Sequence, residues 1–184
     1  VLATSGPTKE KVFDLTIDTI EKNIETIKTV CRITSNLNLN LIIKLHPDPA
    51  EYDPSEIAHT INPNIKIIKD GNFSSIIKNA KFVIVIDFST VILNCHLLNK
   101  PVISLPVKNY RVGLPSALTN YSCKCSNLEN LEQDIKNLDN DNIRNELIQN
   151  GRKNFTNYLS FQNQSGKKFS EFISHLSKGN KLDN

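Results

Sequence analysis

The 184-residue sequence contains no methionine. A translation product begins with Met, so a chain that opens on Val1 is expected to be processed or cut from a longer one. Long apolar runs are missing too: no stretch approaches the roughly 18 residues that a membrane span needs. The first residues lack the charged, then apolar, then small-residue order of a signal peptide. The four cysteines, Cys31, Cys95, Cys123 and Cys125, form no CxxC pair and no zinc-type spacing. They are expected to be reduced and inert, in a cytoplasmic compartment, and no metal site is expected. Charge of one sign is also scarce, with 22 basic residues against 19 acidic, spread along the chain. That excess does not point to nucleic acid, and no basic stripe interleaved with aromatics is present. No internal repeat is visible.

What is present is ordinary globular composition, with 39% hydrophobic and 22% charged residues in a length that can bury one core. Leu2 to Thr4 is short and apolar and is broken by Ser5-Gly6-Pro7. From about Thr8 to Ser35, the apolar positions include Val12, Leu15, Ile17, Ile20, Ile24, Ile27 and Val30 and recur mostly three or four apart. That period predicts a helix. Leu41 to Leu45 reads as a strand closed by His46-Pro47-Asp48-Pro49. A short helix is expected from Pro54 to Thr60, with Asp53 as its cap. A strand follows at Ile65 to Ile68, ended by Asp70-Gly71-Asn72, and then a short helix from Ser74 to Asn79.

Phe82 to Ile86 is apolar without alternation, as in a central strand of a parallel sheet covered on both faces. Asp87-Phe88-Ser89 leads into an apolar helix from about Thr90 to Leu98, and Pro101 to Leu105 is the next strand. Pro106 to Pro115 reads as a loop, Tyr121 to Cys125 as an edge strand, and Leu128 to Lys178 as three or four helices. Alternating strands and helices imply right-handed crossovers. The fold class is therefore α/β, a Rossmann-like three-layer domain with a central parallel sheet and a helical carboxyl-terminal region. Residues 1–160 form the Rossmann-like domain on this reading, to which the resemblance described below assigns nucleotide-sugar binding, and residues 161–184 a closing helix and tail. Within Ser165 to Ser177, the residues Phe169, Phe172, Ile173 and Leu176 share one helical stripe. That stripe is expected to fold back on the domain or to mediate a weak homodimer.

Open parallel sheets bind ligands beyond the carboxyl ends of their strands. Three strand ends here carry polar residues. Ser89 and Thr90 stand where a strand hands over to a helix, so their hydroxyls and the first helical N–H groups suit a phosphate. Ser89 as a plain helix cap is the alternative, and the two roles are compatible. His46 can donate to a phosphate or pass a proton near neutral pH, and Pro47 forces it toward an extended conformation. Lys108 and Arg111, in the loop after Leu105, can bring positive charge to a diphosphate. Asp87 can hold the turn or position a sugar hydroxyl. His59 and His175 are read as incidental, and His96 as a packed or rim residue.

The segments "IIKLHPDP", "NIKIIKD" and "NAKFVIVIDFSTVILNCHLLNKPVISL", in this order, resemble the carboxyl-terminal half of GT-B glycosyltransferases. The likeness is to the branch with an HP motif and a paired Ser/Thr motif: polysialyltransferases, CDP-glycerol glycerophosphotransferases and capsule enzymes. The non-hydrolysing UDP-N-acetylglucosamine 2-epimerases, which share the fold, are similar too. The tail "NYLSFQNQSGKKFSEFI" looks like the closing helix of such enzymes. The resemblance places His46 and Pro47 in the first motif and Ser89 and Thr90 in the second, where they hold the phosphate of a CMP-, CDP- or UDP-activated sugar. Many GT-B proteins carry a Glu at the ribose, and here that position is Asn94, a weaker partner for a hydroxyl.

The resemblance implies the donor-binding half of a glycosyltransferase for surface or capsular polysaccharide, with His46 catalytic and no cofactor. A polysaccharide or lipid-linked acceptor would be met through a missing amino-terminal domain, with work at the inner face of the membrane. The alternatives are an epimerase of the same fold and a non-catalytic nucleotide-binding module.

Overall fold

The computed structural model describes residues 1–4, 16–17, 20–47, 51–87, 89–107, 109–110, 123–158 and 164–177. The strands are β1 (Leu2–Ala3), β2 (Thr16–Ile17), β3 (Ile42–Lys44), β4 (Lys66–Ile68), β5 (Val83–Ile86), β6 (Val102–Leu105), β7 (Asn109–Tyr110) and β8 (Lys124–Cys125). The helices are α1 (Ile20–Asn36), α2 (Ser55–Ile61), α3 (Phe73–Ile77), α4 (Val91–Leu97), α5 (Leu131–Asn137), α6 (Asp141–Tyr158) and α7 (Ser165–Ser177).

Six strands form one sheet in the order β4-β3-β1-β5-β6-β8, every pairing parallel. Counted along that sheet, the order is that of a doubly wound Rossmann domain, and the winding reverses between β1 and β5. Alternate residues of the central strands feed two separate cores. Leu2, Ile84, Ile86, Ile103 and Leu105 pack with Ile27 and Val30 of α1, Ala58 of α2 and Leu131 and Ile135 of α5. Ala3, Val83, Val85 and Val102 pack with Ile77 of α3 and Ile92 and Cys95 of α4. Helices thus cover both faces, which explains why β5 shows no polar alternation.

Two sequence expectations change. Within the helix expected from Thr8, Thr16–Ile17 is a short strand paired antiparallel with Asn109–Tyr110, inside the stretch read as a loop, and α1 is described from Ile20; residues 8–15 and 18–19 lie outside the described residues. Thr and Ile are β-branched and fit a strand, and two residues are too few to disturb a helical period. The segment Leu2–Ala3, not read as a strand, lies at the centre of the sheet between β3 and β5. The proposed boundary near residue 160 falls outside the described residues. Among the described residues, no helix is long and apolar enough to cross a membrane.

Candidate functional site

The winding reverses between β1 and β5, and the carboxyl edge at such a reversal is where doubly wound domains hold ligands. His46 and Pro47 follow β3 and are exposed, while Asp87 follows β5. Strand β1 separates β3 from β5, so the two exits stand two strand spacings apart, about 10 Å. A nucleotide diphosphate can bridge that distance. Beyond β5, Ser89 is half-buried and Thr90 exposed, immediately before α4. Asn94 follows Thr90 by four residues and shares its helix face; it is half-buried. Lys108 and Arg111 lie outside the described residues, as does Phe88.

The helix entry gives capping only a minor part. Ser89 Oγ accepts from the Val91 N–H at 3.4 Å, a long bond, and the Ser89 carbonyl accepts from Ile92 at 3.0 Å. Thr90 precedes α4 with no side-chain capping bond.

Asp87 is buried and has a left-handed backbone, φ 59°, a conformation Asp tolerates better than most residues. Its Oδ1 accepts from the Val107 N–H at 2.7 Å, and its carbonyl accepts from Ser104 Oγ at 3.2 Å. Of the two roles considered for Asp87, these bonds belong to the turn-holding one: the side chain ties the exit of β5 to the exit of β6.

Three polar residues at this edge are absent from the site expected from the sequence. Thr4, at the end of β1, donates from its hydroxyl to the Glu51 carboxylate and from its N–H to the Lys44 carbonyl at 3.0 Å. Lys44 is buried, and its Nζ donates to the carbonyls of Leu45 and Lys69, each at 2.6 Å. Thr4, Lys44 and Glu51 therefore fasten the exits of β1, β3 and β4 together beside His46. A charged residue inside an apolar β run, as Lys44 is, was the available clue: buried charge needs partners.

A cavity of about 270 Å³ also opens at the carboxyl edge, between Lys22, Glu25 and Thr26 of α1 and the exits of β6 and β8. A larger one, about 560 Å³, lies at the opposite edge among the amino ends of the strands, near Asn40, Lys66 and Phe82. Size does not make it the better candidate, because the strand exits and the start of α4 face the other way.

Solved structures share this fold. A structure from Listeria monocytogenes bearing the name of a UDP-N-acetylglucosamine 2-epimerase matches all of this chain and 46% of its own, at 17% identity and a TM-score of 0.60. The UDP co-structure of MnaA from S. aureus matches 84% of this chain and 40% of its own, at 21% identity and a TM-score of 0.54. WaaG, a glycosyltransferase involved in lipopolysaccharide biosynthesis, matches 86% of this chain and 43% of its own, at 16% identity and a TM-score of 0.53. The fold is GT-B-like. This chain spans less than half the length of each of these GT-B-like relatives. No family model matches the sequence, and comparison with curated proteins gives no match.

Proposed function

We propose that this chain is the donor-binding domain of a glycosyltransferase making surface or capsular polysaccharide, of the HP and Ser/Thr-motif branch. What supports the reading is that His46 follows β3 while Ser89 and Thr90 follow β5, on the two sides of β1 in a GT-B-like sheet. In the reaction, negative charge grows on the donor phosphates as the sugar leaves. His46, the hydroxyls of Ser89 and Thr90 and the first N–H groups of α4 stabilise that charge by directed dipoles. Pro47 holds His46 extended at the carboxyl edge, Asn94 meets the ribose, and Lys108 and Arg111 add positive charge. Asp87 acts through the loop it fixes. The acceptor binds elsewhere in the complete enzyme.

A second reading is a nucleotide-sugar epimerase, favoured by the match of the whole chain to the Listeria structure. Products made by the complete gene separate the two: a transferred sugar against an epimerised nucleotide sugar. The binding step is tested on this chain by titrating CMP, CDP and UDP while following backbone amide signals. Amides around His46, Ser89 and Thr90 should shift at millimolar nucleotide. Thr90→Ala should weaken binding at little cost in stability, and Ser89→Ala should cost no more than about 1 kcal/mol. Equal affinity in Thr90→Ala and wild type would remove Thr90 from the site.

A further inference from the structure

Strands β3, β4 and β5 enter the sheet at its amino edge, and each entry carries an asparagine: Asn40, Asn64 and Asn79. At two of them a lysine follows two residues on, giving Asn64-Ile65-Lys66 and Asn79-Ala80-Lys81. The parallel sheet brings the three entries to one edge, and all five residues line the cavity of about 560 Å³ there. Leu41, Ile76 and Phe82 add an apolar wall. That volume suits a small molecule, since ligand pockets span roughly 300–1,000 Å³. Among the described residues, no aspartate or glutamate lines the cavity. Lys81 is paired with Asp139 outside it. The side chains of Asn40, Asn64, Lys66 and Asn79 are exposed and make no hydrogen bond or ion pair among the described residues.

We propose that this cavity is a second ligand site, for a small molecule with one anionic group on a hydroxylated body: a sugar phosphate or a sugar acid. Each asparagine carboxamide offers a donor and an acceptor, which matches hydroxyl groups, themselves both. The Lys66 ammonium supplies the charge for the anion, and no carboxylate in the described lining offsets it. Lys81 adds to that charge only in part, because Asp139 already holds it. The apolar wall takes the carbon face of a sugar ring, and the few polar groups around it fix its orientation. A neutral sugar would leave Lys66 without a counter-charge. A bare inorganic anion would leave the amides and the apolar wall unused. The site stands at the opposite edge of the sheet from His46, Ser89 and Thr90, so it is independent of the reading of the nucleotide site.

The test is titration of the folded chain with glucose 6-phosphate and, separately, with glucuronate, following backbone amide signals. One or both should shift the amides around Asn64, Lys66 and Lys81 saturably at millimolar concentration. Saturation by one alone assigns the anionic group as phosphate or as carboxylate. Glucose and inorganic phosphate, titrated as controls, should each bind about tenfold more weakly or worse. Lys66→Gln changes an exposed side chain, and it should weaken binding by about tenfold at an unchanged melting temperature. Asn40→Ala should weaken binding less. Three results would each overturn the proposal: no shift at these amides with either anionic sugar, a control that binds as tightly as they do, or wild-type affinity in Lys66→Gln.

Discussion

The central strands and the last helix are equally regular in their apolar residues, yet only the strands find partners within the described chain. Every residue of β5 and β6 is buried, and their alternate side chains fill two cores. In α7 the stripe is just as well spaced, but Phe169, Phe172 and Ile173 remain 65%, 43% and 47% exposed. The sequence expectation that this helix folds back on its own domain is therefore not met at these residues. Periodicity tells which side chains share a face. It does not tell whether anything covers that face, because covering depends on elements far away in the chain.

The comparison is broken most sharply at the centre of the sheet. Ile84 is buried in β5 and stands in register with Leu2 and Ile103 of the flanking strands. Ile84→Ala should lower unfolding free energy by about 2–5 kcal/mol, since the close-packed strands cannot collapse around the missing atoms. Urea denaturation followed by far-UV circular dichroism measures it. A loss under about 1 kcal/mol would mean that the sheet centre is looser than its burial implies.

A smaller effect is expected where a closing helix does pack. His96 of α4 is buried against α6, and a Cβ placed on Gly151 would collide with its Nδ1, so only glycine permits this crossing. The ring's Nε2 is buried with no hydrogen-bond partner among the described residues, and burial pushes its pKa from 6.5 down to about 4. The unfolded chain therefore takes up this proton near pH 6.5, while the native ring resists until about pH 4. Between those values the unfolded state binds more protons, so stability falls as pH falls and this contribution is flat outside the window. The loss is on the order of 3 kcal/mol. Melting temperatures from pH 7 to pH 4 should show the slope in wild type and a much flatter line in His96→Leu. Parallel slopes would mean that the ring is solvated.

Most of the sheet was legible because its strands are short apolar runs ended by turn residues, as at Leu41 to Leu45 and Phe82 to Ile86. Strand β1 was not, since two residues carry no period and gain their identity only from the neighbours they pair with. The site was half legible for the same reason. His46, Ser89 and Thr90 stand at strand ends that the sequence marks, so topology alone brings them to one edge. Thr4 and Glu51 meet across 47 residues of chain, and that contact is a product of the fold.

The smallest effect is expected on α7, and there the absence of an effect is informative. Phe169→Ser replaces an exposed ring on a helix whose described positions are all exposed. If nothing in the chain covers the ring, its loss removes no buried area, and stability should stay within about 0.5 kcal/mol of wild type. Truncation after Tyr158 should leave the melting temperature equally unmoved, because the cores are built from elements that end before it. Thermal melts of both variants at low protein concentration decide the matter. Destabilisation of about 1 kcal/mol or more by Phe169→Ser would mean that the stripe packs on the domain in solution, and the contrast between sheet and closing helix would dissolve.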